Sequence, residues 1–359
     1  MGRNNQGSIL ITGGAGFIGS HAAEYFARNG WRVTVLDNLS RPEVRGLGVN
    51  TRLYNWNYLS QFPNVFRVRG SVLNSVLLTR LVKDSRVVLH AAGQVAVTSS
   101  LTDPVTDFKT NALGTFNVLE ASRKSGSVNT LLFCSTNKVY GENVNSIPVI
   151  STQTRYQFGK SKYLTGIAED FSTDNCKHSP YGASKLSADT YVQEYGMTYG
   201  LKTGVFRMSC IYGDRQFGSE DQGWVAHFIL SVMSNRPITI YGDGKQVRDV
   251  LYVDDLVKAY DAFIHRSNSS IVVNMGGGNL NKTSLLDLLK LIEKKTGRVP
   301  RLKFSDWRNS DQKIYVSDIS KAQRLLKWSP TIPLSEGVDN LIGWASTLKP
   351  EKGAEGGMR

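Results

Sequence analysis

Three side chains in this sequence have the types and spacing to take a proton from a hydroxyl group. Tyr181 and Lys185 lie four residues apart in Ser179-Pro180-Tyr181-Gly182-Ala183-Ser184-Lys185, so a helix entered at the proline presents both on one face. A free tyrosine titrates at about 10 and is a poor base at neutral pH, but a neighbouring ammonium favours its phenolate. Such a base removes the proton of a hydroxyl while hydride leaves the same carbon. Thr136, in Cys134-Ser135-Thr136-Asn137-Lys138-Val139-Tyr140-Gly141 at a predicted strand end, adds a hydroxyl that holds the reacting oxygen in line. A Tyr-x-x-x-Lys pair is common by chance, so its meaning depends on the elements ahead of it.

The first of those elements is Ile9-Leu10-Ile11-Thr12-Gly13-Gly14-Ala15-Gly16-Phe17-Ile18-Gly19-Ser20. An apolar run ends in a glycine cluster and a helical pattern follows to about Asn29. This predicts a strand, a tight turn and a helix N-terminus, whose N–H groups and partial positive charge suit a pyrophosphate. Gly14, Gly16 and Gly19 have the dinucleotide-fold spacing, and Gly13, Gly16 and Gly19 a wider one. Asp37 closes the next predicted strand, Arg32 to Leu36, where a carboxylate accepts both ribose hydroxyls and repels a 2′-phosphate. NAD is favoured over NADP, with nearby Arg41 pulling the other way.

Strands and helices continue to alternate. Asn64–Gly70 is the third predicted strand, Val76–Lys83 a helix, and Arg86–Gly93 a fourth strand whose small end residues leave room for a flat ligand. His90 reads as a strand residue rather than a catalyst. A long helix is expected over Pro104–Lys124, where Asn111 either faces solvent or ties the helix to a neighbouring loop. Asn129–Ser135 is the fifth strand. The alternation predicts an α/β fold, a Rossmann doubly wound parallel sheet, with a smaller, discontinuous α/β substrate domain.

Composition narrows the class. The chain has 359 residues, 40% apolar and 20% charged, without a run of transmembrane length. Met1–Ser8 is too short and polar for a secretory signal. Cys134, Cys176 and Cys210 are odd in number and widely spaced, which suggests reduced thiols in a cytoplasmic protein. Five scattered histidines give no metal-ligand spacing, so no metal centre is expected. The net charge of +13 lacks a dense basic tract. This argues against nucleic acid and for anionic small molecules, although a solvated basic face accounts for most of the excess.

Together the glycine turn, Asp37, Thr136 and the Tyr181/Lys185 pair resemble the extended short-chain dehydrogenase/reductases, the NAD-dependent sugar-nucleotide epimerases and dehydratases. The resemblance runs from Ile9 to about Trp344. It implies catalysis by Thr136, Tyr181 and Lys185 on a nucleotide-sugar substrate. It implies that NAD rests on Gly13, Gly16, Phe17, Ile18 and Gly19, with Asp37, Asn38, Ser40 and Arg41 at the adenosine. Ser71, Val72, Ala91, Ala92, Gly93 and Asn111 complete the cofactor site with Tyr181 and Lys185. The substrate is expected at Gln94, Thr136, Asn137, Arg207, Arg215, Gln216 and Trp224, with Arg248 and Arg308 on its diphosphate. Domains of 1–206 plus 250–271 (cofactor) and 207–249 plus 272–348 (substrate) follow, with 349–359 a disordered tail. A homodimer or homotetramer is implied, paired through the 104–124 helix and the helix after Tyr181, with Tyr191, Val192 and Tyr195 at the contact or packed within the monomer.

Positions 137 and 138 divide the siblings. The 4,6-dehydratases place Asp-Glu after the threonine to expel water. Asn137 cannot exchange a proton and Lys138 cannot replace a glutamate, which disfavours elimination and leaves reversible oxidation with nothing lost. Ser135–Gly141, Arg215–Phe217 and Asp221–Val225 are most like epimerases that invert C2 of a CDP-linked dideoxyhexose. A UDP-hexose 4-epimerase stays open, as does, more remotely, a non-catalytic NAD-sensing regulator. The polar stretch 145–178, between the two reactive segments, is longer than the C2 pattern leads one to expect and leaves the sugar's identity open.

Overall fold

A computed structural model describes residues 7–267, 269–308 and 311–348; the expected disordered tail at 349–359 lies outside them. Seven strands form the central sheet: β1 (Ser8–Thr12), β2 (Arg32–Asp37), β3 (Val65–Arg69), β4 (Val87–His90), β5 (Thr130–Thr136), β6 (Lys202–Met208) and β7 (Ile271–Met275). Their order is 3-2-1-4-5-6-7 and every pairing is parallel. The chain direction across the sheet reverses between β1 and β4, which opens a crevice at their carboxyl ends. Both faces are covered, so β5 is buried along its whole length. β7 lies beyond the boundary at 271 drawn from the sequence, because Ile271–Met275 pairs with the β6 run Gly204–Met208.

Helix α1 (Phe17–Arg28) follows the glycine turn. Pro104–Phe108 and α2 (Gly114–Ser125) flank a π-turn at Lys109–Leu113 where one continuous helix was expected. α3 (Ser179–Tyr199) begins with proline in its first turn and carries Tyr181 and Lys185.

The smaller layer is assembled from separated segments. Val247–Tyr252 pairs with Cys210–Tyr212, Lys282–Ser284 and Ile314–Tyr315. Val250–Tyr252 therefore continues a strand of this sheet rather than joining the large one, as the domain limits drawn from the sequence had it. The 145–178 stretch is not a free loop. Val149–Ser151 and Tyr156–Phe158 form a hairpin. Tyr156 Oη donates to Asp243 at 2.6 Å, Arg155 pairs with Asp287 at 2.6 Å, and Ile167 N–H donates to Val316 O at 2.7 Å. The insertion is thus fastened to the substrate layer at several points.

His90 sits fully buried between Thr12 Oγ1 (2.6 Å) and Thr115 Oγ1 (3.0 Å), as a strut joining β1, β4 and α2. Burial, with Lys185 nearby, lowers its pKa to about 3. The unfolded chain takes up a proton below the ordinary value of 6.5 and the folded chain does not, so stability falls as pH drops from 6.5 towards 3. In urea titrations, His90→Gln is expected to lose about 1.4 kcal/mol per pH unit less than the wild type over that window.

Candidate active site

The glycine turn is shaped for a close ligand. Gly13 has φ +72°, and a Cβ there would lie 2.6 Å from Ala92 N, so the turn touches the chain leaving β4. A Cβ on Gly19 would lie 2.2 Å from Gly13 O. Gly16 caps α1 without any side-chain hydrogen bond, so the helix start at Phe17 and Ile18 is left for an anion. Asp37 is fixed by N–H donors from Ala15 (3.0 Å) and Leu39 (2.8 Å). Burial pushes its carboxyl upward against those two donors. Asn38 Oδ1 accepts from Ser40 N and Oγ, and Arg41 donates to Phe217 O, which turns its guanidinium to the substrate layer. Val72 packs against Gly114 just past Ser71, at the end of β3. This bare, glycine-lined cradle with a fixed carboxylate at the second strand fits NAD.

Past β4, Ala91 N–H donates to Thr12 O, and Gly93 lies where a Cβ would meet Asn111 Oδ1 at 2.9 Å. Asn111, inside the π-turn, accepts from Gln94 N–H (2.9 Å). Its Nδ2 lies 3.1 Å from each of Gln94 O, Asp107 Oδ1 and Ser184 Oγ. Ser184 also donates to Asp107. Ser100 Oγ accepts Tyr181 N–H at 3.1 Å. Ser100, Asp107 and Ser184 were not singled out in the sequence. The one signal was the Asp107/Asn111 spacing of four on a helix.

Tyr181 and Thr136 meet through their hydroxyls, and both residues are buried. Burial pushes the phenol up to about 12, and the Thr136 hydrogen bond lowers it only in part. The expected lowering by Lys185 is absent here, because its ammonium is turned to Cys134 O at 2.6 Å and over the Phe133 ring at 4.1 Å. Lys185 itself is lowered to about 8, chiefly by burial. Thr136 Oγ1 also donates to Asn137 Oδ1 and accepts Lys138 N–H.

The substrate residues divide. Arg248 pairs with Asp311 at 2.7 Å, and Arg308 stacks on Tyr241 at 3.8 Å while donating to Glu220 O. Trp224 Nε1 donates to Cys210 Sγ at 3.3 Å at the start of its helix. Arg207 is committed elsewhere, in a buried fork on Asp189 (3.0 and 3.1 Å) that Ser135 completes at 2.6 Å. Arg215 pairs with Glu24 of α1 at 2.8 Å and covers Tyr58. Gln216 is buried on Ile211 O, and Gln94 folds back on Ala96. The sequence could not separate these groups, because an arginine that bridges elements and one that meets a phosphate look alike. Among the described residues no group of three or more His, Cys, Asp or Glu is placed to hold a metal, and no helix is long and apolar enough to cross a membrane.

A dinucleotide cradle at the reversal of the sheet, beside a buried Thr–Tyr–Lys set on β5 and α3, defines a short-chain dehydrogenase-type site. Residues 9–276 match the NAD dependent epimerase/dehydratase family, and the chain belongs to it. It is 39% identical to the CDP-paratose 2-epimerase of Salmonella typhi over 353 residues, 95% of this chain and 99% of that one. It is 33% identical to a putative UDP-glucose 4-epimerase of Methanocaldococcus jannaschii, over 94% and 97%. The crystal structure of the Bacillus cereus UDP-glucuronic acid 4-epimerase, in complex with UDP-glucuronic acid and NAD, superposes with a TM-score of 0.80. There the identity is 29%, over 95% of this chain and all of that one.

Lys185 offers a test of the buried charge. Its pKa is about 8 folded against 10.5 ordinarily, so the unfolded chain holds the proton more tightly and stability rises with pH between those values. Below 8 the full penalty, about 3 kcal/mol, remains. Lys185→Met is therefore expected to be at least as stable as the wild type at pH 7 by urea denaturation, and that advantage should shrink as pH rises above 8.

Proposed function

We propose that this protein is a nucleotide-sugar epimerase that inverts C2 of a CDP-linked dideoxyhexose through transient oxidation. The observation that carries the reading is Tyr181 buried on Thr136 with Asn137 and Lys138 alongside, where elimination would need an acid pair. The likeness to the CDP-paratose 2-epimerase over nearly the full length of both chains supports the substrate class.

In this mechanism Thr136 holds the sugar hydroxyl and Tyr181 Oη accepts its proton as the carbinol becomes a ketone. NAD, held by the glycine turn and Asp37, would supply the hydride acceptor and donor. The phenol, raised by burial, is eased toward ionisation on this chain's side by its Thr136 hydrogen bond. Arg248 and Arg308 grip the diphosphate while the ketone presents its other face. Tyr181 then returns the proton to the oxygen. Asp37 holds the adenosine ribose, and the Asn111 amide keeps the chain after β4 against α3.

Proton NMR of CDP-paratose, UDP-glucose and UDP-glucuronate incubated with the enzyme tests the assignment. Inversion of CDP-paratose is expected, and Tyr181→Phe should lower the rate at least about a hundredfold. Inversion of a UDP-hexose instead would mark a 4-epimerase, and equal turnover by Tyr181→Phe would remove the base.

The pairing surface is also proposed, as a homodimer. Val192 and Tyr195 are buried within the monomer, whereas Val105 (60% exposed), Phe108 (57%) and Tyr191 (47%) face outward from 104–108 and α3. Apolar side chains in such number on adjoining helices suit a self-complementary helical contact. Sedimentation should give a dimer for the wild type and a monomer for Phe108→Lys.

A further inference from the structure

Between β2 and β3 the chain runs from Asn38 to Asn64, and only Asn38, Ser40 and Arg41 of it were expected at a ligand. It begins in a tight turn built on Asp37. Asp37 Oδ1 accepts Leu39 N–H at 2.8 Å and Asn38 Oδ1 accepts Ser40 N–H at 3.1 Å, and between them Leu39 is held at φ +58°. A leucine in this left-handed region is strained and persists only where its neighbours fix it. The turn therefore sets the direction in which Arg41 leaves it. Arg41 Nη2 donates to Phe217 O at 2.5 Å, in the substrate layer. Burial lowers the pKa of this guanidinium, and no carboxylate offsets the burial.

The acceptor is held as firmly as the donor. Arg215, two residues before Phe217, is itself at φ +58°, with its guanidinium 2.8 Å from Glu24 of α1 and 4.0 Å over the Tyr58 ring. Glu24 also accepts the Tyr58 hydroxyl at 2.8 Å, and Asn55 Nδ2 donates to Arg215 O at 3.4 Å. The Phe217 ring meets Tyr54 at 5.1 Å and Trp344 at 5.3 Å. The 38–58 stretch thus clasps the Arg215–Phe217 bend twice, with Arg41 and with Tyr54, Asn55 and Tyr58. The same bend leads to the expected substrate residues. Gln216 Nε2 donates to Ile211 O at 3.1 Å and fills the space beside Gly223, where a Cβ would lie 3.0 Å from it. Trp224 follows, on Cys210 Sγ. Arg308 is tied to the chain between, donating to Glu220 O at 3.0 Å.

We propose that Arg41 is a positioning residue for the substrate: from the cofactor side it fixes the Arg215–Phe217 bend, and through that bend the Arg308 guanidinium. This differs from the resemblance, which puts Arg41 on the adenosine. A hydrogen bond from a charged donor is among the stronger ones, and losing it would leave the Phe217 carbonyl without its partner. With that hold gone, the chain from Phe217 to Glu220 is free to shift, and Arg308 shifts with it. Arg41 therefore acts on a ligand that it does not touch. The inference rests on the nucleotide-sugar reading for the diphosphate at Arg308, and it holds whichever carbon is inverted.

The experiment uses the NAD-loaded protein and its Arg41→Met and Arg41→Lys variants, each also made with Arg308→Met. Calorimetry with CDP and UDP reads the substrate side, and the rate at which NAD is released from the loaded protein reads the adenosine side. Arg41→Met should weaken binding of the preferred diphosphate about tenfold while NAD release changes less than about twofold. Arg41→Lys keeps a charged donor for the carbonyl and should restore most of the loss. With Arg308→Met already present, Arg41→Met should cost less than about threefold, because the two side chains act in series. Unchanged diphosphate affinity in Arg41→Met, or an equal loss in Arg41→Lys, would overturn the proposal. So would NAD release accelerated as much as diphosphate affinity falls, which marks an adenosine contact. Additive losses in the double variant would overturn the route through Arg308. If the wild type binds neither diphosphate, the nucleotide-sugar reading fails and this inference with it. If it binds one but inverts no sugar nucleotide, the epimerase reading fails and the role of Arg41 stands on its own measurements.

Discussion

The catalytic end depends on a single amide. Asn111 sits in a π-turn and uses both ends of its side chain: Oδ1 takes the Gln94 N–H while Nδ2 faces Gln94 O, Asp107 and Ser184. Three elements are thereby locked together: the chain leaving β4, the 104–125 helical segment and the first turns of α3. The cofactor cradle and the tyrosine lie on different elements, so their separation is set by this crosslink. A π-turn adds one residue to the helical repeat and redirects a side chain that an unbroken α-helix would aim elsewhere. Burial makes the arrangement rigid, because each polar atom here would be costly to leave unpaired.

Electrostatics at the site are deliberately unfavourable in the isolated chain. A phenol is raised, an ammonium is lowered, and both changes come first from burial. These shifts disfavour the charged forms until ligands with charge of their own arrive. The chain thus holds Tyr181 neutral and Lys185 on a backbone carbonyl. In the smaller layer, Arg248 is kept on Asp311 rather than bare.

The insertion at 145–178 gives the two layers a common fastening. Arg207 donates to Glu169 O, Asn274 of β7 donates to Ile167 O, and Tyr156 and Arg155 reach Asp243 and Asp287. The cleft is bounded by a segment tied to the large sheet and to the small one. This buried chain of polar contacts, from Ser135 through Asp189 and Arg207 to Tyr140 and Asn274, places the Thr136 strand end relative to the substrate layer.

Local chemistry was legible in the sequence wherever a backbone or a helical repeat dictates it. Gly13 must adopt a positive φ, Gly19 has no room for a Cβ, Asp37 closes a strand, and Tyr181 and Lys185 share a helix face four residues apart. Those are short-range constraints, and they determined the glycine turn, the fold class and the shared helix of Tyr181 and Lys185. Partner choice is long-range and was decided by tertiary structure alone. Arg207 and Arg215, expected at the substrate, found Asp189 and Glu24, the 104–125 helix took a π-turn at Asn111, and the polar 145–178 stretch became a fastening. The physical reason is that a guanidinium or an amide carries the same donors wherever it lies, and only the packed chain settles which acceptor is near enough to use them.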